Sequence, residues 1–281
     1  MKRQQLFLVA GGLALFLLIF FFGKTVPPKK DTSPTPTQQV AGNKSISTTE
    51  IIATAKQKLN SAQNERLISM ENAVIRGDVK EQKIHIYHQL AHYWKDSIHA
   101  FEPYAYYTSE AAKLENSEKS LTFAAQLFVD NLIGSNDAPM QNWLATNAKV
   151  LLDKVLEINP TNDSAKIGIG ACYLFGNIST SPMEGILKVR EIVQKNPNNL
   201  YAQLVLGLGG KKSGQYDKAI EHFTVIINKQ PGNVEALFQL AECNELKGDK
   251  PNAIKWYEAL KKQINNDQIK EELDKRIQSL K

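Results

Sequence analysis

The rhythm of apolar positions changes twice along this chain. Leu6 to Phe22 is an uncharged apolar run. At 1.5 Å rise per residue it reaches roughly 25 Å as a helix, near the lower limit for a bilayer core of about 30 Å. From Lys24 to Thr48 the apolar residues thin out into Pro, Thr, Ser, Lys and Gln, a composition that cannot bury enough surface to order itself. From Ile51 onward apolar residues recur at three- and four-residue steps, the spacing of helices with one buried face. Ser47-x-x-Glu50 opens this part with the pattern of a capping box. Ile51, Ile52, Ala55, Leu59, Ala62, Leu67, Met70 and Val74 then predict a long entry helix over 49–77, with a break near Asn64 as the alternative.

Further on, the helical rhythm acquires a longer period. Between Pro197 and Pro231 lie Leu206-Gly207, Gly214, Tyr216, Ala219-Ile220 and Phe223. The next period answers with Leu240-Ala241, Gly248-Asp249, Ala253-Ile254 and Tyr257. Small residues alternating with large apolar ones over a 34-residue period are the signature of stacked helix hairpins. Small side chains let paired helices approach, and Gly207 and Ala219 are predicted to sit where they do. Gly214 is predicted to end its helix in the left-handed conformation, and Pro231 to stop the next one.

On these residues the chain resembles tetratricopeptide repeat proteins. The resemblance implies an all-α, right-handed helix–turn–helix solenoid whose first helices line a concave binding face. Repeats are then expected at about 79–115, 117–160, 163–199, 200–233 and 234–265, closed by a capping helix over 267–281. In the first of these, Pro103 replaces a small residue and is predicted in the first turn of its helix. The second carries about eleven extra residues around Ile133 to Trp143, read as a loop from Gly134 to Pro139 with Trp143 packed back on the solenoid. An exposed interaction loop is the other reading. The repeat at 163–199 has about three extra residues near 179–181.

Ahead of the repeats, residues 1–23 are predicted to be a single transmembrane signal-anchor and 24–48 a flexible tether. Phe20-Phe21-Phe22-Gly23-Lys24 fits signal cleavage poorly; a removed signal peptide is the alternative. A bacterial inner-membrane protein with its repeats in the periplasm is the expected placement, since long domains translocate largely regardless of flanking charge.

Charge narrows the partner class. The chain has 34 Lys and Arg against 29 Asp and Glu, a formal net charge of +5. All of that excess lies in residues 1–48, and the repeat region is neutral. A nucleic-acid reader concentrates positive charge on its folded face, so no nucleic-acid partner is expected. Cys172 and Cys243 fall at equivalent places two periods apart, roughly 20 Å by helix stacking, too far for a disulfide.

No phosphate loop, paired-cysteine metal motif or H-E-x-x-H stands in the chain, so neither catalysis nor a cofactor is expected. His85, His88 and His92 share one helix face, with His88 and His92 a candidate metal pair that lacks a third ligand. The resemblance gives these histidines a different place, on the ligand-facing stripe of the first helices. That stripe continues through Lys119, Thr122 and Gln126, then Ile167, Ala171 and Leu174, then Tyr201, Leu204, Leu208 and Lys211, and ends at Glu235, Phe238, Glu242 and Glu245. It reads as imidazole-rich at one end, apolar in the middle and acidic at the other. Leu204 and Leu208 stand where a clamp for acidic chaperone tails would need polar groups, which favours a segment with apolar anchors. Packing of both leucines against a neighbouring helix is the competing account.

The expected function is a membrane-anchored, non-enzymatic scaffold holding a protein or peptide in its groove. A structural or oligomerising subunit of a membrane complex is the alternative, and a metal-responsive protein a third.

Overall fold

A computed structural model of the chain describes residues 46–76, 79–178 and 182–281. The anticipated membrane anchor, nearly all of the tether and the extra residues at 179–181 lie outside the described residues. Among the described residues there are thirteen α-helices, one π-helical segment and no strand. No described helix is long and apolar enough to cross a membrane.

The entry region is a hairpin, as in the alternative reading, with its break at 57–60 rather than near Asn64. Helix α1 (Thr48–Lys56) is closed by the Ser47–Glu50 capping box, and α2 (Ser61–Arg76) begins after a turn at 57–60. The break falls there because the Asn60 and Gln63 side chains each accept from the other's backbone N–H, at 2.9 and 3.0 Å, a ready-made helix start.

Five further pairs follow. Helix α3 (Lys80–His92) runs into a π-helical segment at Tyr93–Ile98 and pairs with α4 (Phe101–Glu115). The wide π turn brings Trp94 into complete burial, where it packs with Leu67, Leu90 and Tyr107. Pro103 lies in the first turn of α4, as expected. Helices α5 (Glu118–Gly134) and α6 (Ala138–Ile158) absorb the insertion. The predicted loop over Gly134 to Pro139 contracts to 135–137, because Asp137 accepts from the Met140 N–H at 3.0 Å and Pro139 sits in the opening turn. The extra residues lengthen both helices instead. Trp143, on the first turns of α6, is buried edge-on against Phe128 and donates to Thr48 at 2.9 Å.

The last pairs are α7 (Asp163–Phe175) with α8 (Met183–Lys195), α9 (Leu200–Lys212) with α10 (Tyr216–Lys229), and α11 (Val234–Lys247) with α12 (Lys250–Lys261). One device starts each of their first helices: Asn162, Asn199 and Asn233 accept from the N–H three residues on, at 2.8, 3.0 and 2.9 Å. Each follows Pro160, Pro197 or Pro231 by two residues, so the previous helix is stopped and the next begun within one short turn. Gly214 adopts φ +73°, the left-handed conformation anticipated for it. Helix α13 (Asp267–Leu280) ends the array, burying Leu273, Ile277 and Leu280 and presenting a charged outer face; Ile269 remains exposed.

First helices of successive pairs also touch one another, α5 to α7, α7 to α9 and α9 to α11. A continuous core runs from Ile51 to Leu280, built largely from Ala, Leu, Ile and Val. Cys172 and Cys243 are free and buried in it, and desolvation pushes both thiols up, Cys172 to about 12 and Cys243 to about 11.

Candidate polypeptide-binding groove

Contacts between first helices decide which of the stripe residues face outward. Ile167 and Ala171 are completely buried between α5 and α9, so they belong to the core and not to a ligand face. Leu174 is partly buried against Gly209. Leu204 and Leu208 hold an intermediate place: Leu208 is 9% exposed and Leu204 half-buried, yet both border a groove of about 670 Å³. One side of each leucine packs on the core and the other meets the hollow.

That groove runs from the end of α5 across α7 and α9 to α11. Ile133, Phe175, Leu204 and Leu208 form its apolar surface, and Asp130, Lys211, Lys212, Glu235 and Gln239 its polar surface. Lys211 reaches across to α11, donating to Gln239 Oε1 at 2.6 Å and pairing with Glu242. Gln239 in turn donates to Glu235 at 2.8 Å. The Lys211 ammonium also lies 5.8 Å from the ring centre of Phe238, which is 36% exposed.

Gln126 and Tyr201 are not among the lining residues. Gln126 donates to Asp130 at 2.5 Å. The Tyr201 hydroxyl is buried beside these two, without a hydrogen bond of normal geometry. Burial first and the Asp130 charge second hold its phenol far above the ordinary tyrosine range, with Gln126 acting in the opposite sense.

The acidic end is neutralised by the fold itself. Glu245 accepts from the Tyr257 hydroxyl at 2.9 Å and is paired with Arg276 of α13 at 2.7 Å, so it fastens the capping helix. Glu242 is occupied by Lys211.

The histidines are elsewhere. His88 and His92 line a separate hollow of about 290 Å³ with Tyr104, Thr108, Glu115 and the exposed Phe123. His88 Nε2 lies 2.6 Å from Glu115 and His92 Nδ1 3.3 Å from Asp96. His85 is exposed and meets Gln89 at 3.1 Å. Among the described residues, no group of three or more His, Cys, Asp or Glu is placed to hold a metal ion.

The structure thus brings Leu204, Leu208 and Lys211 into one groove with Glu242 and Phe238 beside it, and leaves His85, His88 and His92 outside it. Phe175, Lys212 and Ile133 were not foreseen. Lys212 follows the stripe by one residue, and Phe175 stands just past the end of a stripe segment; the helix ends are where the stripe pattern stops being informative.

A family model described as tetratricopeptide repeat matches residues 212–271. No curated protein matches the sequence. Among solved structures, a MamA fragment from Desulfovibrio magneticus RS-1 is similar over 66% of this chain and 96% of its own, with 20% identity and a TM-score of 0.44. YrrB, a protein described as a tetratricopeptide repeat protein with an unusual peptide-binding site, is similar over 73% of this chain and 97% of its own, with 15% identity and a TM-score of 0.42. A tetratricopeptide repeat protein from Parabacteroides merdae ATCC 43184 is similar over 78% of this chain and 94% of its own, with 16% identity and a TM-score of 0.38. The stretch matched by the family model spans helices α10 to α12.

Proposed function

We propose that this protein is a membrane-anchored, non-enzymatic scaffold that holds a polypeptide segment in the groove between α5 and α11. The observation that carries the reading is the join of apolar and paired polar surface along α9: Leu204 and Leu208 face a long hollow whose Lys211, Glu235, Gln239 and Glu242 are already bound to one another. Such a surface offers fixed hydrogen-bonding edges and apolar seats, which suit an extended or helical segment with apolar anchors. The repeat match at residues 212–271 supports the same class of function.

The anchor is the apolar run Leu6 to Phe22, and the tether behind it gives the repeats reach from a bacterial inner membrane into the periplasm. A photo-crosslinker placed at Leu204 in the full-length chain tests the groove. Crosslinked polypeptide is expected from membranes, and its loss when Leu208 or Lys211 is replaced by Glu. Equal crosslinking in all three proteins overturns the reading. Protease added to spheroplasts tests placement, with digestion of the repeats expected and their protection the contrary result.

A further inference from the structure

Two carboxylates face the groove without a counter-ion. Asp130, near the end of α5, accepts from the Gln126 amide at 2.5 Å. Glu235, in the first turn of α11, accepts from the Gln239 amide at 2.8 Å. Both residues are exposed, and neither pairs with a Lys, Arg or His among the described residues. An amide donor holds a carboxylate in place but leaves its charge intact. The two cations of the same lining are engaged otherwise. Lys211 and Glu242 cancel one another. Lys212 turns to the end of α7, 3.3 Å from the Leu174 carbonyl oxygen and 5.3 Å from the ring centre of Phe175. With the Lys211–Glu242 pair set aside, two carboxylates stand against one ammonium, so the hollow is acidic.

Apolar surface lies along the groove from α5 to α11. Phe175, Leu204 and Leu208 form most of it, and Leu246, 55% exposed, extends it on α11. We propose that the groove selects polypeptide segments in which Lys or Arg flanks a large aliphatic side chain, the aliphatic group seated on Leu204 and Leu208 and the cation meeting Asp130 or Glu235. This rests on the polypeptide-binding reading and adds the chemistry of the ligand. Charge complementarity chooses this occupant over an acidic one, which would meet both carboxylates. A cation arriving at either acid displaces no existing ion pair. The apolar seat supplies most of the affinity, since solvent-exposed charge pairs contribute little, and the two acids supply the preference.

Random nonapeptides displayed on phage, selected on the full-length chain, provide the test. Selected peptides are expected to be enriched in Lys or Arg near Leu, Ile or Phe. A synthetic copy with the basic residue changed to Gln is expected to bind about two- to fivefold more weakly, the range for a solvent-accessible ion pair, with a smaller difference at high salt. Asp130→Asn with Glu235→Gln removes both charges, and this double variant is expected to bind the two peptides alike while circular dichroism stays unchanged. Peptides that depend on Leu204 but show an acidic preference or none, or whose basic preference survives in the double variant, overturn the proposal and leave the groove reading standing. Peptides indifferent to Leu204→Gln, or no selection at all, sink both. A Leu204-dependent dimer seen by light scattering would assign the groove to a second copy and likewise overturn the proposal.

Discussion

Phe223 lies directly over Gly207. A Cβ atom at position 207 would stand 2.6 Å from Phe223 Cε1 and 2.7 Å from Cζ, and the ring is fully buried. The close approach of α9 and α10 thus depends on a missing side chain in one helix and a flat face in the other. Ala219 marks a second close approach, beside Gly210, where a Cβ would lie 3.3 Å from the Ala219 backbone nitrogen.

Gly207→Ala is therefore expected to destabilise the protein even though alanine is the better helix former by about 1 kcal/mol. Gly207→Leu is expected to cost about 1–3 kcal/mol or more through overpacking. Urea unfolding measures both. Phe223→Leu in the Gly207→Ala background should recover part of the loss, and simple additivity in that double-mutant cycle would refute the contact.

Trp143 should behave as a core residue. Its ring packs on Phe128, and its indole N–H is held by Thr48 of the entry hairpin. Trp143→Ala is expected to cost about 3–5 kcal/mol, and Trp143→Phe clearly less. A variant with near-native stability would return this residue to an exposed loop.

Acid should weaken the array through His222. Its Nδ1 lies 2.6 Å from Gln203 Oε1, and Gln203 donates onward to the Pro197 carbonyl at 2.7 Å, so the amide is fixed as an acceptor toward the ring. Burial, the main cause, and the charge of Arg190 lower the imidazole's pKa, with Glu221 opposing them. The unfolded chain then binds the proton more readily than the folded one. Stability is complete above the ordinary histidine value near 6.5 and is lost as pH falls through it. The urea midpoint should drop between pH 7.5 and 5.5, and His222→Gln should flatten that dependence. An unchanged slope in the variant would assign it to other groups.

Much of the architecture is legible in the residues because it obeys local rules. The alternation of small and large positions around Gly207, the left-handed Gly214 and the apolar face of α13 each need only nearby sequence to be read. The entry hairpin hides because its break uses Asn60 and Gln63 in place of Gly or Pro. The insertion misleads because Gly134-Ser135-Asn136-Asp137 has loop chemistry, yet Asp137 is a good helix start and the longer α6 gives Trp143 a place to bury. The groove is harder still. Periodicity places Ile167, Ala171, Leu204 and Leu208 on one face, but neighbouring first helices cover the former two and leave the latter two at an edge. Which stripe residues stay accessible is a property of the stack. Likewise Glu245 reads as a ligand group until Tyr257 and Arg276 converge on it.

The apolar interior is divided in two. Leu67, Leu90, Tyr93 and Trp94 make one oily body, and the long core toward α13 makes the other. Helix α4 serves both, giving Tyr107 to the first and Ala105 and Ala112 to the second. It works as a rivet between a small block and a long one. Helix α1 is divided in the same way, Ile51 joining the long core and Ile52 and Ala55 packing on the small block. Helices α2 and α3 lean on the small block, so their amides should exchange with solvent ahead of those in α9.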